Sequence, residues 1–279
     1  MVSVGMFEAA SVSVVIPCWR CGDTITRAVV SIAAQTQLPR EVILVDDASG
    51  DDTVSVLQTL MKQYPHGWIK VIEQSVNGGG PVARNAGWEA ATSPYIAFLD
   101  ADDAWHPRKL AIQVAWMEAH PEAALTGTRT VVRNTLDNLP ALPDFFDVIP
   151  VTFRRLLFVS LLPMRSVMIR RSVANRFVSK LRYTEDYLLW LSILAEGSQA
   201  FLLDLPLAYS FKADFGAAGI SAHLWRTHCD VLDTYCRLQQ AGHLSRALRI
   251  VVTMYALLKF CRRVAITGVR FVRLKMFMP

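Results

Sequence analysis

The sequence lacks any predominantly apolar run of about 18 residues, the length a helix needs to cross a bilayer, so no membrane span is expected. Its first residues, MVSVGMFEAASVSVV, carry no basic stretch ahead of the apolar ones, so no secretory signal is expected there. Cysteines are few and odd in number, five in all, which fits a reducing compartment better than a disulfide framework. Two phosphate-binding signatures are also missing. No G-x-G-x-x-G follows the first apolar run, and there is no G-x-x-x-x-G-K-[ST], so neither a dinucleotide oxidoreductase nor a P-loop NTPase is indicated. Acidic residues vanish after Asp233, while nine Lys and Arg lie between Arg237 and Lys275. The chain carries +5 overall, so a mildly acidic body ends in a strongly basic tail. Repeats and low-complexity tracts are absent.

What is present is the composition of a packed enzyme: 279 residues, 52% hydrophobic and 19% charged, enough for one large α/β domain and a smaller appendage. Val12–Pro17, Val42–Asp46, Trp68–Ile72 and Tyr95–Leu99 are short, β-branched and nearly continuous in apolar residues, as strands buried on both faces are. Amphipathic stretches near 23–35, 51–63, 81–91 and 107–119 separate or follow them. Asp51 and Asp52 are set to cap the second, and Pro107 to open the fourth. Such alternation builds a mostly parallel sheet between helices, with ligands at the carboxyl ends of the strands. Residues 134–163 read as an irregular crossing loop, followed by a strand near 166–170, a helix from Glu185 and strands near 200–204 and 207–211.

Each early strand ends in residues suited to a ligand: Pro17-Cys18-Trp19, Asp46-Asp47, Asn77-Gly78-Gly79-Gly80 and Asp100-Ala101-Asp102-Asp103. Clustered carboxylates need a cation, and hard oxygen ligands favour Mg²⁺ or Mn²⁺, ions that bridge diphosphates. Capping and turn formation account as well for Asp103, Asp51 and Asp52. The glycine run ahead of Arg84-Asn85 would let backbone approach an anion at a helix N-terminus, while Arg84 could instead hold a carboxylate of the sheet. Thr184-Glu185-Asp186 opens a helix, where acids in the first turn are ordinary. Cys18-Trp19-Arg20-Cys21 has the spacing of a redox or zinc motif, yet zinc would need two more ligands at a spacing that Cys229 and Cys236 do not supply.

Assembled, VSVVIPCWR (12–20), SIAAQTQLPREVILVDDASGDDT (31–53), NGGGPVARNAGWEAATSPYIAFLDADDAWHP (77–107), VMIRRSV (167–173), TEDYLLWL (184–191) and the weaker PLAYSFK (206–212) resemble a family 2 glycosyltransferase of the GT-A fold. The resemblance implies a nucleotide-diphosphate sugar donor, read as a UDP-sugar, a divalent ion (Mn²⁺ or Mg²⁺) and inversion at the anomeric carbon. Carried over by position, Pro17 and Trp19 would line the nucleoside pocket, with Asp47 facing the base and Asp46 beside it. Arg84 falls in an A-R-N element near the donor. Asp100 and Asp102 form a D-x-D motif, Asp102 contacting the metal and Asp100 lying nearer the ribose or sharing the ion. Asp186 would be the catalytic base, supported by Glu185. Trp19 stands where the family more often has Tyr, and Lys212 is the only base where an Arg and a His are usual. Lys212 therefore reads as a diphosphate contact or, slightly preferred, as a solvated loop residue, and Gly216 and Gly219 as lid hinges or turn glycines.

These readings divide the chain into a tail (1–11), a GT-A catalytic domain (12–222, with nucleotide-binding and acceptor-binding halves at 12–105 and 106–222) and a helical basic segment (223–279). From 244 onward, bases Lys259, Arg262, Arg263, Arg270 and Arg273 share one arc of a helical wheel, and Leu257, Phe260, Val264 and Phe271 lie opposite, with Gly268 as an interruption. That pattern is expected to rest on an anionic membrane surface, or else to be a solvated face of a docked helix. The expected partners are the sugar donor, a saccharide or lipid-linked saccharide acceptor, and that membrane. Nucleic acid is not among them, because no recognition motif accompanies the bases. The expected location is cytoplasmic, peripheral at the inner face of the membrane. Two other functions compete: a non-catalytic nucleotide-sugar-binding partner of a membrane transferase, and a thiol oxidoreductase built on Cys18 and Cys21.

Overall fold

Four apolar runs each lead toward a helix, and their alternation builds one half of a single sheet. The computed structural model describes residues 9–137, 139–212 and 223–277, and side chains as far as residue 267. Strands β1 (Ala10–Cys18), β2 (Pro39–Asp46), β3 (Ile69–Glu73) and β4 (Tyr95–Phe98) pair in parallel, in the order β3-β2-β1-β4. Helices α1 (Gly22–Ala33), α2 (Thr53–Gln63) and α3 (Gly80–Ala90) connect them. Because side chains alternate across a strand, Val14, Ile16, Val42 and Leu44 face one way, onto Ile25, Val29 and Leu57. Val15, Ile43, Val45 and Phe98 face the other way, onto Trp88 and Trp190. Helix α3 sits so close to β1 that a Cβ on Gly87 would lie 2.3 Å from Val15 Cγ1. Only glycine fits there.

The second half is mixed. It comprises β5 (Ala104–Trp105), α4 (Lys109–Ala119), β6 (Ala123–Val132), β7 (Val148–Val151), α5 (Phe153–Phe158), a 3₁₀ turn at Met164–Ser166, β8 (Met168–Arg170), α6 (Glu185–Ala195) and β9 (Gln199–Ser210). The sheet continues β4-β8-β6-β9-β5, with β8 antiparallel to both of its neighbours and β7 paired to β9. Helices α7 (Leu224–Gln240) and α8 (Arg246–Phe277) complete the chain, and Tyr235, Leu238, Val252 and Ala256 join the same buried cluster as Trp88 and Trp190.

Several local expectations change. The stretch 134–163 is not simply a loop, since it contains β7 and α5, and Thr152 caps α5 by accepting the Arg155 amide hydrogen at 3.2 Å. Pro150 is tolerated because among the described residues β7 pairs with β9 alone and so lies at the margin of the sheet. The strands expected at 200–204 and 207–211 are one strand, β9, which passes Pro206 through register shifts opposite Arg129. Pro107 precedes α4 by two residues rather than opening it. Asp52 occupies the N-cap position of α2 without a side-chain cap, and Asp51 instead accepts the Thr53 amide hydrogen at 3.0 Å. Helix α8 runs through Gly268 without a break. No helix among the described residues is long and apolar enough to cross a membrane.

Candidate active site

The carboxyl ends of β1, β2 and β4 open into a cleft of about 1140 Å³, whose far wall comes from α5, α7 and α8. Pro17 and Trp19 line it beyond β1. Trp19 is 54% exposed, and the Arg20 guanidinium lies 5.1 Å from its ring centre. Asp47 is buried at the end of β2 and binds the next loop with both oxygens, accepting from the amides of Gly78 and Gly79 at 2.8 and 2.7 Å. Gly79 has φ +85°, and a Cβ there would come within 3.1 Å of Arg182 Nε, so the cradle needs glycine on two counts.

The turn after β4 gathers three carboxylates, each with its own cation. Asp100 accepts from Arg84 Nη2 at 2.7 Å, Asp102 pairs with Lys212, and Asp103 pairs with Arg165. Arg84, buried in α3, also reaches Glu185 at 2.8 Å. It thus ties the D-x-D turn to the N-terminus of α6. The Arg84, Arg165 and Lys212 charges hold the Asp100 carboxyl below the usual carboxylate range despite its burial. Asp103 goes the other way: burial, then the neighbouring Asp100, push it up to about 7 against the pull of Arg165.

At α6, Glu185 is buried behind the cleft while Asp186 lines it. Burial pushes Glu185 up to about 7 even beside Arg84, and burial likewise raises Asp186, whose carboxylate accepts the Tyr187 amide hydrogen at 2.7 Å. A carboxylate made more basic by its surroundings, and open to a cleft, is suited to act as a general base. Opposite stand Lys259 and Arg263 of α8, one helical turn apart, with His228 of α7 stacked on Phe260 at 4.7 Å.

The family described as Glycosyl transferase family 2 matches residues 13–172. The chain belongs to that family. This family 2 glycosyltransferase is 28% identical over 187 residues to the UDP-Glc:alpha-D-GlcNAc-diphosphoundecaprenol beta-1,3-glucosyltransferase WfgD of Escherichia coli, an alignment covering 67% of this chain and 71% of that one. In fold it is similar to TarS of S. aureus, solved in complex with UDP-GlcNAc (TM-score 0.67, 20% identity, 88% of this chain and 71% of that one). It is also similar to the mannosyltransferase PcManGT of Pyrobaculum calidifontis, solved with GDP-Man and Mn²⁺ (TM-score 0.66, 19% identity, 94% and 76%). The mixed sheet flanked by helices is the GT-A architecture of these proteins.

Within the transferase, Pro17, Trp19, Asp47, Arg84, Asp100, Asp102 and Asp186 line one cleft. Two expected residues do not. Asp46 is turned inward to accept from the backbone N–H and hydroxyl of Ser49, because a buried carboxylate at a strand end needs donors at hand. Glu185 faces Arg84 instead of the cleft. Arg84 itself takes the carboxylate-holding alternative, and Lys212 is no bystander, because it lines the cleft and pairs with Asp102. Gly216 and Gly219 lie outside the described residues. Cys18 and Cys21 are both buried, and burial together with Cys21 raises the Cys18 thiol well above its ordinary value. A thiol so hard to ionise is a poor nucleophile, and the oxidoreductase reading is set aside.

Among the described residues no three His, Cys, Asp or Glu side chains form a metal cluster. That still fits the expected ion, since Mg²⁺-like ions bind through one or two carboxylates plus substrate phosphates and water. Asp102, with Asp100 beside it, supplies hard oxygen donors at the cleft, and the Lys212 ammonium already marks Asp102 as a cation site. Sequence reasoning missed Arg165, Arg182, Lys259 and Arg263 as cleft residues. Only the i, i+4 spacing of Lys259 and Arg263 was a local signal, and it does not say which way the pair points.

Proposed function

We propose that the enzyme transfers one sugar from a nucleotide-diphosphate sugar, UDP-linked, to an acceptor hydroxyl with inversion, in the assembly of a cell-surface polysaccharide or glycolipid. The observation that carries this reading is that Asp102 and Asp186, from distant parts of the chain, open into one cleft. Direct displacement needs both a place for charge building on the departing diphosphate and a base for the attacking hydroxyl. Asp186 takes that proton as the hydroxyl oxygen attacks the anomeric carbon from the face opposite the diphosphate. Glu185, through Arg84, keeps the base and the D-x-D turn in register. Asp102 and Asp100 would hold Mn²⁺ or Mg²⁺, which when bound would neutralise diphosphate charge. Pro17 and Trp19 receive the nucleoside, and Asp47 shapes the glycine loop behind it.

WfgD, by its name, uses UDP-Glc and a diphosphoundecaprenol acceptor, which supports the choice of UDP and of a lipid-linked acceptor here. Membrane placement draws support from α8, though not from the basic stripe first considered. Lys259 and Arg263 are half-buried toward the cleft, and Phe260 packs on Trp225 and His228. The outward face is apolar instead: Ile250, Met254, Leu257, Leu258 and Val264 are exposed, Leu258 by 69%. Arg270, Phe271 and Arg273 have side chains outside the described residues. An apolar helical face beside bases suits the headgroup layer of a bilayer at the cytoplasmic side.

A non-catalytic nucleotide-sugar-binding module would have no use for a base at Asp186, and turnover decides the matter. Full-length protein with labelled UDP-sugars and Mn²⁺ should release UDP. Asp102→Ala should abolish that release, together with metal-dependent UDP affinity, while leaving thermal unfolding unchanged. Normal turnover by Asp102→Ala, or full wild-type activity in EDTA, sinks the metal assignment.

A further inference from the structure

Asp186 stands in the first turn of α6, yet the usual local anchor of such a turn is missing. Residues 171–184, between β8 and α6, form neither helix nor strand. Thr184 occupies the N-cap position, where a threonine hydroxyl ordinarily accepts from the second or third amide of the helix. Here it makes no such bond. The Tyr187 amide goes to Asp186, and the Thr184 hydroxyl is buried without a hydrogen-bond partner among the described residues. The irregular stretch is pinned midway, where the Asn85 side chain exchanges two hydrogen bonds with the Phe177 backbone at 2.8 and 3.0 Å. Between Phe177 and the start of α6, the backbone is held from α7.

One carboxylate oxygen of Asp230 accepts two successive amides there, from Tyr183 at 3.0 Å and from Arg182 at 3.2 Å. Hydrogen bonds to a carboxylate are stronger than neutral ones, and two neighbouring amides on one oxygen fix the direction in which the chain enters α6. The same helix grips the Tyr183 side chain: Arg226 donates to its hydroxyl at 3.2 Å, and the His223 ring meets its edge at 5.7 Å. On the far side of the base, the Tyr187 hydroxyl donates to the Leu157 carbonyl at 3.0 Å and meets the Tyr235 hydroxyl of α7 at 3.3 Å. Residues on both sides of Asp186 are thus tied to α7, while Asp230 is not among the residues lining the cleft. We infer that Asp230 is a positioning residue for the transfer: by fixing the entry of α6 it sets where the Asp186 carboxylate meets the acceptor hydroxyl. The role presupposes that Asp186 is the base. A base works within hydrogen-bond reach of its proton, and a misplacement of about 1 Å is enough to cost about a hundredfold in rate.

The experiment is a double-mutant cycle on the full-length protein, read by UDP release from labelled UDP-sugars with Mn²⁺ and by UDP affinity. Asp230→Ala should lose about ten- to a hundredfold in kcat, the scale of a small misplacement of the base, with UDP affinity unchanged. Asp230→Asn keeps an oxygen for the two amides and should recover most of that loss. In an Asp186→Asn background the base is gone, so adding Asp230→Ala should change the residual kcat by no more than about twofold. A merely structural role predicts the same fold loss in both backgrounds, and that result overturns the inference. So does wild-type kcat in Asp230→Ala. Asp230→Asn as impaired as Asp230→Ala overturns it too, because charge and not the tether would then matter. If Asp230→Ala fails to fold, Asp230→Glu takes its place in the cycle, since it keeps the charge but moves the oxygen by one methylene, and wild-type kcat there overturns the inference. Absence of UDP release by the wild type defeats the transferase reading itself, whereas wild-type release matched by Asp230→Ala defeats the role of Asp230 alone.

Discussion

The two walls of the cleft are built on opposite plans. On the strand-end wall every carboxylate is already engaged: Asp47 by two glycine amides, Asp100 by Arg84, Asp102 by Lys212 and Asp103 by Arg165. On the helical wall Lys259 donates to the Phe158 carbonyl beside the Tyr255 ring, and Arg263 lines the cleft one turn further along α8. The first wall is prepared in advance, its geometry fixed by strands that cannot shift register without turning their side chains over. The second depends on how α7 and α8 dock. Chemistry that needs fixed distances belongs on the first wall.

The sharpest break of that contrast is at Asp186. Asp186→Asn should keep UDP affinity near normal and lose on the order of two to four decades in kcat, the usual scale for a general base. Because burial raises the Asp186 carboxyl, wild-type kcat should fall as pH drops through a limb above the ordinary aspartate range, and the variant should lack that limb. Equal loss of UDP affinity would make Asp186 a structural or nucleotide residue.

Arg84 tests how far the first wall is prepared. Arg84→Met strands the buried Glu185 and the three-quarters-buried Asp100, at a cost of about 3–5 kcal/mol, toward the lower end because Asp100 meets water. The sign with pH follows from Glu185. Its folded pKa, about 7, is above its ordinary value of 4.5, so the folded state holds a proton that the unfolded state releases. Its contribution is greatest at low pH and is lost as pH rises from about 4.5 to about 7. Removing the cation should carry that loss to higher pH, so urea denaturation should give a smaller deficit at pH 5 than at pH 8. An equal deficit at both would mean that packing, not charge, is what Arg84 supplies.

On the other side, Met254→Ser/Leu258→Ser removes two exposed apolar side chains from α8. Sedimentation with phosphatidylglycerol vesicles should show binding weaker by about one to two decades. Truncation after residue 243 should weaken it at least as much. Full binding by the truncated chain, or none by wild type at low salt, removes the membrane reading.

Much of the first wall was legible because its signals are local. A β-branched run ending in Asp-Asp or Asp-x-Asp-Asp identifies both the strand and the end where ligands bind, and Gly78–Gly80 announces a backbone that must come close. The partners of those acids were not legible. Arg165 and Lys212 reach Asp103 and Asp102 across 62 and 110 positions, and no local pattern encodes such a distance. Strand β6 escaped notice because its outer half, Arg129–Val132, is polar or exposed and breaks the apolar run. The direction of α8 was misread for a related reason. A wheel of bases and apolar residues shows two faces, but docking on α5 and α7 decides which is covered, and it covered the side bearing Lys259 and Arg263.

The smallest effect is expected at Lys212, where the two plans meet. Its ammonium pairs with Asp102 from a half-exposed position, both partners in reach of water. Such pairs contribute about 0.2–1 kcal/mol, so the lysine competes only weakly with a divalent ion for the same carboxylate. Lys212→Met should therefore raise Mn²⁺ affinity in the presence of UDP by up to about fivefold. If the released lysine then meets the donor diphosphate, the same variant should lose kcat although it binds metal better, and a solvated loop residue would leave kcat alone. Unchanged or weaker Mn²⁺ binding would mean that Lys212 holds Asp102 in place for the ion rather than standing in for it. Titration of Mn²⁺ by its paramagnetic resonance signal, with wild type and Lys212→Met side by side, separates competition from support.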